Sequence, residues 1–193
     1  MNRCSWCSDD EAYIAYHDGE WGRPQHDDVK LFELLTLEGM QAGLSWITIL
    51  KKREAFRLAF CGFDAARVAA FGEEDIARLM ADAGIVRSRR KIAAAIGNAR
   101  AFMQVQRDAG SFDRFIWSYV DFSPIVNAPA PGNVPSSTEL SERISRDLKA
   151  RGFRFVGPTI VYSFMQAAGL VNDHEQDCAL CGRRGEEVPS RTE

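Results

Sequence analysis

The chain has 193 residues, of which 46% are hydrophobic and 26% are charged. This composition excludes a fibrous chain or one that is disordered throughout, because it supplies enough apolar material for a core. A net charge of −3 gives no general attraction to nucleic acid, and no segment reaches the roughly 20 consecutive apolar residues that a membrane helix needs. The polar start of the chain is unlike a signal peptide, so we expect a cytoplasmic protein with no membrane partner.

Hydrophobic periodicity predicts helices along nearly the whole chain. The predicted helices are Asp27–Gly39, Ser45–Phe60, Glu73–Ala83, Ser88–Arg107, Phe112–Val120, Ser137–Ala150 and Pro158–Ala168. Gly39 is expected to end the first helix and Ser45 to cap the second, whose polar side includes Arg53 and Arg57. Because no segment reads convincingly as a strand, the pattern predicts a single all-α domain over residues 1–182. A disordered tail is expected at 183–193.

Basic side chains are segregated from acidic ones along the sequence. Five basic residues and no acidic residue lie between Ile85 and Arg100, and five more basic residues lie between Arg143 and Arg154. A local basic surface can bind nucleic acid even when the net charge is negative. The charge pattern is therefore compatible with DNA as a partner.

The two ends of the chain carry matching thiol and imidazole groups. They are Cys4, Cys7 and His17 near the start and His174, Cys178 and Cys181 near the end. In a reducing compartment such a group favours a metal over disulfides, and Zn²⁺ suits cysteine and histidine ligands best. On spacing alone, Cys4 with Cys7 and Cys178 with Cys181 form an attractive four-cysteine site. Any metal shared by these segments would bring the two ends of the chain together.

A short glycine-containing turn, residues 151–157, joins the last two predicted helices in the region 140–170. Gly152 suits a helix C-cap with positive φ, and Gly157 opens the next helix with Pro158 in its first turn. Backbone N–H groups at that helix start favour an anion such as phosphate. An ordinary pair of antiparallel helices would have the same shape, and the basic residues before the turn favour contact with the DNA backbone.

Longer runs of the sequence resemble a known family. Gly152–Gly157, the helix after it and Gly169–His174 resemble the helix-hairpin-helix signature of base-excision DNA glycosylases. Tyr13–Gly22 and Leu37–Lys52 resemble the 3-methyladenine DNA glycosylase I family, and the likeness continues to about Cys178. Many members of the superfamily place a catalytic aspartate where this chain has Asn172, with Asp173 one position along. That departure puts the usual aspartate mechanism in doubt here.

The resemblance implies an all-α helix-hairpin-helix glycosylase fold and a monomeric, monofunctional enzyme without a lyase step. Its substrate would be double-stranded DNA containing 3-methyladenine, whose nucleotide is flipped out before the N-glycosidic bond is hydrolysed. The implied catalytic residue is Glu38. On the sequence alone this carboxylate could also be solvated at a helix end, whereas one held in a pocket can accept hydrogen bonds from the amino group of a cationic base. The implied base-binding residues are the aromatic side chains Tyr16, Trp46, Trp21, Tyr13 and Trp6.

The resemblance also implies DNA contacts and a different ligand set for the metal. From the residues themselves, Gln41–Leu44 could enter the gap left by the flipped base, because Gly43 allows close backbone approach and Leu44 can fill space, although a plain interhelical turn would look the same. Gly152 and Gly157 would contact the phosphate backbone. The implied ligands of one structural Zn²⁺ ion are Cys4, His17, His174 and Cys178.

Two other functions compete with the glycosylase interpretation. A zinc-stapled DNA-binding module without chemistry would have no need of Glu38, Trp46 and Tyr16 together. A zinc hydrolase would use three protein ligands and an open metal position, whereas four available ligands favour a closed structural site. Both alternatives are therefore less favoured by the residues themselves.

Overall fold

The computed structural model describes residues 1–182, so the predicted disordered tail at 183–193 lies outside the described residues. The α-helices are α1 Glu11–Gly19, α2 Asp28–Gln41, α3 Trp46–Ala59, α4 Ala65–Ala69, α5 Glu73–Ala81, α6 Arg89–Ala109, α7 Phe112–Trp117, α8 Glu139–Ala150 and α9 Pro158–Ala167. Two short 3₁₀ turns cover Cys61–Phe63 and Ser118–Val120. No helix within residues 1–182 is both long enough and apolar enough to cross a membrane.

The all-α prediction is confirmed in its main outline and wrong in detail. Every predicted helix is present, with small shifts at the ends. The sequence pattern does not predict helices α1 and α4. In α1 the buried residues are only Tyr16 and His17, so the helix shows no apolar stripe, and α4 is too short to show periodicity. The expectation of no strand is also wrong, since β1 (Ile125–Val126) pairs in parallel with β2 (Val171–Asn172).

Helix α2 forms the centre of the molecule. Every residue from Leu31 to Met40 is buried, and the helix contacts α3, α6, α7 and α9. The prediction that Gly39 ends this helix is wrong, because the helix continues to Gln41. A Cβ atom at Gly39 would lie 3.5 Å from both the Cβ atom and the carbonyl oxygen of Phe155. Because Gly39 has no side chain, α2 can lie close to the turn between α8 and α9.

The polar side of α3 is partly buried rather than fully solvated. Arg53 is only 8% exposed, and its guanidinium donates to Glu33 at 2.6 Å and to Glu20 at 2.7 Å. Arg57 also donates to Glu33, at 2.9 Å. A buried charge is tolerated when it is paired and hydrogen-bonded in this way. The network ties α3 to α2 and to the segment that follows α1.

The N-terminal segment is also held by the end of α9. The Gly22 and Gln25 amides donate to the carbonyl oxygens of Gln166 and Ala168, at 2.9 and 3.0 Å. Gly169 has a φ of +71°, and a Cβ atom there would lie 2.1 Å from the backbone carbon of Arg23. The segment 22–25 can cross the end of α9 only because residue 169 has no side chain.

We predict that Gly169→Ala destabilises the protein by at least about 3 kcal/mol, because it combines a left-handed φ with a backbone clash. Gly110→Ala is the matched control, since Gly110 has a φ of +90° and a Cβ atom there would meet nothing within 4 Å. The control should lose only about 1 kcal/mol, from backbone strain alone. Urea unfolding of both variants measures the difference, and equal losses would contradict the close-approach argument.

Candidate functional site

Four buried side chains from the two ends of the chain converge on one point. The donor atoms of Cys4, His17, His174 and Cys178 all lie within 4.8 Å of one another. The Cys4 sulfur lies 3.4 Å from His174 Nδ1, and the Cys178 sulfur lies 3.5 Å from both His17 Nε2 and His174 Nδ1. Within residues 1–182 this is the set implied by the family resemblance, and the four-cysteine alternative is not assembled.

A surrounding shell of hydrogen bonds orients each of these side chains. His17 Nδ1 donates to Asp18 at 2.8 Å, and His174 Nε2 donates to the carbonyl oxygen of Trp21 at 3.2 Å. The other nitrogen of each ring therefore turns its lone pair toward the cluster. Backbone N–H groups of Glu175 and Leu180 donate to the two sulfurs, each at 3.4 Å. The arrangement fits a metal ion with two sulfur and two nitrogen ligands.

Burial sets the protonation states of the cluster. It lowers the pKa of His17 and lowers the pKa of His174 to about 4, so both imidazoles stay neutral and can act as ligands. Burial raises the pKa of the Cys4 thiol, because a buried thiolate has no compensating charge in the protein alone. A bound cation supplies that charge and favours the thiolate. The donor set is therefore chemically suited to a metal.

A cavity of about 170 Å³ lies next to the cluster. It is lined by Trp6, Tyr16, Trp21, Glu38, Gln41, Trp46, Val134, Ser163 and Gln166. The cavity and the cluster share a wall, because the Trp21 ring lies 4.8 Å from the His174 ring and the Trp6 ring lies 5.3 Å from the His17 ring. The aromatic wall of the cavity therefore packs directly against the two histidine rings of the cluster.

The aromatic residues suggested by the sequence gather around this cavity, with one exception. The Tyr16 and Trp46 rings are 5.4 Å apart, and the Trp6 and Trp21 rings are 4.9 Å apart. Tyr13 lies 5.8 Å from Trp6 but does not line the cavity. Tyr13 thus supports the wall from behind, while the other four form it.

Glu38 is the one acidic residue among those lining the cavity. Its side chain is 4% exposed, and no hydrogen bond to its carboxyl group is made by residues 1–182. Burial raises the pKa of Glu38 to about 8, so the carboxyl group is mostly protonated at neutral pH in the absence of a ligand. Burial also raises the pKa of Tyr16, with a smaller contribution from the charge of Glu38. A cation in the cavity would favour the ionised carboxylate.

Three lining residues, Val134, Ser163 and Gln166, are not suggested by the sequence. Ser163 and Gln166 are polar residues three apart on the largely apolar helix α9, and that spacing is the signal that could have found them. Gln166 Nε2 donates to Asp173 at 2.7 Å, and Asp173 also accepts from Tyr162 at 2.6 Å. Because its amide nitrogen is engaged, the side-chain carbonyl oxygen of Gln166 is the group left to accept a further hydrogen bond.

Asn172 and Asp173, at and next to the expected catalytic position, make hydrogen bonds within the protein. Asp173 is fully buried, and besides Tyr162 and Gln166 it accepts a hydrogen bond from Asn127 at 2.7 Å. The Asn172 side chain accepts from the backbone N–H of His174 at 3.1 Å. Neither residue is among those lining the cavity. Both hold together the segment that carries His174.

Two exposed turns flank this region. In the turn between α2 and α3, Gly43 has a φ of +80°, and the Leu44 side chain is 42% exposed. In the turn between α8 and α9, Gly152 has the expected positive φ of +90°. Gly157 is the N-cap of α9, and Pro158 stands in its first turn, as predicted.

We predict that Glu38 makes the protein less stable as the pH rises. Between its unfolded pKa of 4.5 and its folded pKa of about 8, the folded state holds one more proton than the unfolded state, so the free energy of unfolding falls with pH. Relative to Glu38→Gln, the wild type should lose about 2 to 3 kcal/mol between pH 6 and pH 9. Urea unfolding of both proteins across this range measures the difference, and parallel curves would contradict the burial of the carboxyl group.

Comparison with known proteins identifies the family. The model of the methyladenine glycosylase family matches residues 6–181. DNA-3-methyladenine glycosylase 1 of Escherichia coli is 56% identical over 92% of this chain and 96% of its own. A crystal structure of a 3-methyladenine DNA glycosylase I is 53% identical, with a TM-score of 0.91 over 93% of this chain and all of the other. A structure of the Staphylococcus aureus 3-methyladenine DNA glycosylase I, which concerns its recognition of 3-methyladenine, is 40% identical, with a TM-score of 0.91 over 95% of this chain and 98% of the other. The chain therefore belongs to the methyladenine glycosylase family.

Proposed function

We propose that this protein is a DNA-repair glycosylase that flips 3-methyladenine out of alkylated double-stranded DNA and hydrolyses its N-glycosidic bond. The observation that carries the proposal is Glu38, a buried carboxyl group without a protein partner among residues 1–182, inside an aromatic cavity. The names of the relatives, which are 3-methyladenine DNA glycosylases, support the same activity. We further propose that residues 1–182 act as one domain and that the enzyme works as a monomer.

The substrate explains why the cavity combines one acid with aromatic rings. A nucleotide methylated at N3 of adenine carries a positive charge, so it stabilises the ionised form of Glu38 and lies favourably against aromatic faces. Trp46, Tyr16, Trp6 and Trp21 supply such faces around the cavity. Unmodified adenine is neutral and would leave the buried acid without a counter-charge. This difference selects the damaged base.

The same charge simplifies the chemistry. A cationic purine is already a good leaving group, so the enzyme need not protonate it. Glu38 stabilises the separating base, and water completes the hydrolysis. No lysine is found among the residues lining the cavity, and this supports a monofunctional enzyme without a lyase step. The engagement of Asp173 by three donors is consistent with a mechanism that does without the usual aspartate.

Two exposed turns would engage the DNA. The start of α9 at Gly157 presents backbone N–H groups to a phosphate, close to the positive-φ turn at Gly152. Gly43 allows close approach of the backbone, and Leu44 fills the space that the flipped base leaves in the stack. Phosphate binding by the helix-hairpin-helix would position the enzyme, while Leu44 would hold the duplex open.

We propose that the buried cluster binds one structural Zn²⁺ ion through Cys4, His17, His174 and Cys178. Two sulfur and two nitrogen donors with oriented outer partners suit Zn²⁺ better than Ca²⁺ or Mg²⁺, which prefer oxygen. When bound, the ion cross-links the ends of the domain. With four protein ligands the site is closed, and this favours the structural role over a zinc hydrolase. Cys4 and Cys178 are not joined in disulfides, which suits a reducing compartment, and we propose the cytoplasm.

Replacement of Glu38 tests the proposed function directly. We predict that Glu38→Ala lowers the single-turnover release of 3-methyladenine from methylated duplex DNA about a hundredfold, because transition-state charge stabilisation is lost. Thr36→Val is the matched control, since Thr36 is buried on the same helix and its hydroxyl has no hydrogen-bond partner among residues 1–182. The control should retain wild-type release.

The outcomes separate the competing functions. Near-normal release by Glu38→Ala would contradict the assignment of this residue. If the wild type bound methylated DNA but released no base, the non-catalytic DNA-binding module would be correct. If chelation abolished release while circular dichroism still reported an intact fold, the zinc hydrolase would be favoured instead.

Replacement of Cys178 tests the metal site. We predict that Cys178→Ala loses the zinc measured by elemental analysis and lowers the melting temperature by roughly 10 °C, because binding energy of the ion contributes to folding. Cys181→Ala is the matched control, since Cys181 is half-buried and lies outside the cluster. Loss of zinc from both variants would instead support the four-cysteine set.

A further inference from the structure

We propose that Lys91 is a positioning residue that holds the Gln41–Leu44 turn in place for its entry into the DNA stack. The inference rests on the proposed function of the protein and adds to it a residue that touches neither base nor cavity wall. Lys91 lies on α6, and its Nζ atom donates to the carbonyl oxygens of Met40 at 2.9 Å and Ala42 at 2.6 Å. One side chain thus ties a distant helix to the root of the turn.

The contact satisfies groups that the end of a helix leaves open. The last carbonyl oxygens of α2 have no partner within the helix, and the helix dipole makes this end negative. An ammonium group placed there satisfies two carbonyls and meets the dipole with the favourable charge. Lys91 is half-buried, and burial lowers its pKa, so the carbonyl oxygens replace part of the water that the ammonium has lost.

Within residues 1–182, one hydrogen bond closes the turn internally. This bond runs from the Leu44 amide to the carbonyl oxygen of Gln41, at 2.6 Å. Gly43 has a φ of +80°, and a Cβ atom there would meet nothing within 4 Å. Ala42 has already left helical geometry, with ψ at 115°. The bonds from Lys91 therefore fix the direction in which Leu44 leaves the protein surface.

The same face of α6 also holds the other DNA-contact turn. Asn98 stands seven residues after Lys91, two helical turns along, and its side chain bonds both backbone groups of Arg154, at 2.9 and 2.8 Å. Seven residues span about 10 Å along a helix. Helix α6 thus fixes the distance between the turn that enters the stack and the turn that grips phosphate. The close approach of Gly39 to Phe155, which leaves 3.5 Å for a Cβ atom, reinforces this spacing.

The experiment compares Lys91→Met with wild type on methylated duplex DNA under single-turnover conditions, over a range of enzyme concentrations. Because the turn is mispositioned, the maximal rate of 3-methyladenine release should fall at least tenfold. The enzyme concentration at half-maximal rate should stay within threefold. Affinity for the free base 3-methyladenine, followed by the fluorescence of the tryptophans in the cavity wall, should stay within twofold. Such a result separates positioning from the binding of DNA charge and from damage to the base pocket.

Lys52→Met is the matched control. Its Nζ atom also donates to two backbone carbonyl oxygens, those of Ala83 at 2.9 Å and Gly84 at 3.2 Å, but in the loop between α5 and α6. This variant should keep the maximal rate within twofold of wild type.

Four results would overturn the inference. They are a Lys91→Met maximal rate within twofold of wild type, a loss confined to the half-saturating concentration, a parallel loss of free-base affinity, and an equal loss of rate in Lys52→Met. Absence of base release by the wild type is a separate result, which would reject the proposed function and this inference with it.

Discussion

The convergence of the two ends of the chain is the constraint on which the site depends. Cys4 and His17 meet His174 and Cys178 at donor distances of 3.4 to 3.5 Å, and the Trp6 and Trp21 rings stand against the two imidazoles. The aromatic wall of the cavity is therefore built directly on this junction. In the absence of a cation, burial raises the pKa of the Cys4 thiol and so opposes its ionisation, and the proposed zinc would convert an unfavourable buried cluster into a cross-link.

The burial of the Glu38 carboxyl group lowers the stability of the protein but leaves that group available for a ligand. The carboxyl group lies on the central helix, where every neighbour from Leu31 to Met40 is buried, and it has no protein partner among residues 1–182. The other buried acid of the same helix, Glu33, is paired with Arg53 and Arg57, and these cations lower its pKa against the effect of burial. The two glutamates stand five residues apart. Glu33 is paired with arginines and has a structural role, whereas Glu38 has no such cation beside it and can pair with a cationic ligand.

Helix α6 links the two turns that are proposed to contact DNA. Lys91 donates to the backbone at the start of the turn between α2 and α3, and Asn98 bonds the backbone of the turn between α8 and α9. Both turns are therefore attached to the same helix. The proposed function needs the flipped base in the cavity, the DNA backbone bound at the turn between α8 and α9, and Leu44 in the gap left in the base stack. These three regions must therefore lie at fixed distances from one another. A long helix supplies such distances better than loops do.

Much of this protein follows from its sequence, because local patterns reflect local physics. Periodicity located the main helices, Gly152 indicated a positive φ, and the family resemblance singled out the residues that gather at the cluster and the cavity. Spacing along the chain allowed two ligand sets and the resemblance implied one of them, whereas the tertiary structure is what brings His17 and His174 beside the sulfurs of Cys4 and Cys178. It also decided that Gly39 continues a helix, that Arg53 is buried, and that Ser163 and Gln166 face the cavity. Each of these depends on which distant segment lies opposite, and the chemistry of a residue and its neighbours along the chain does not contain that information.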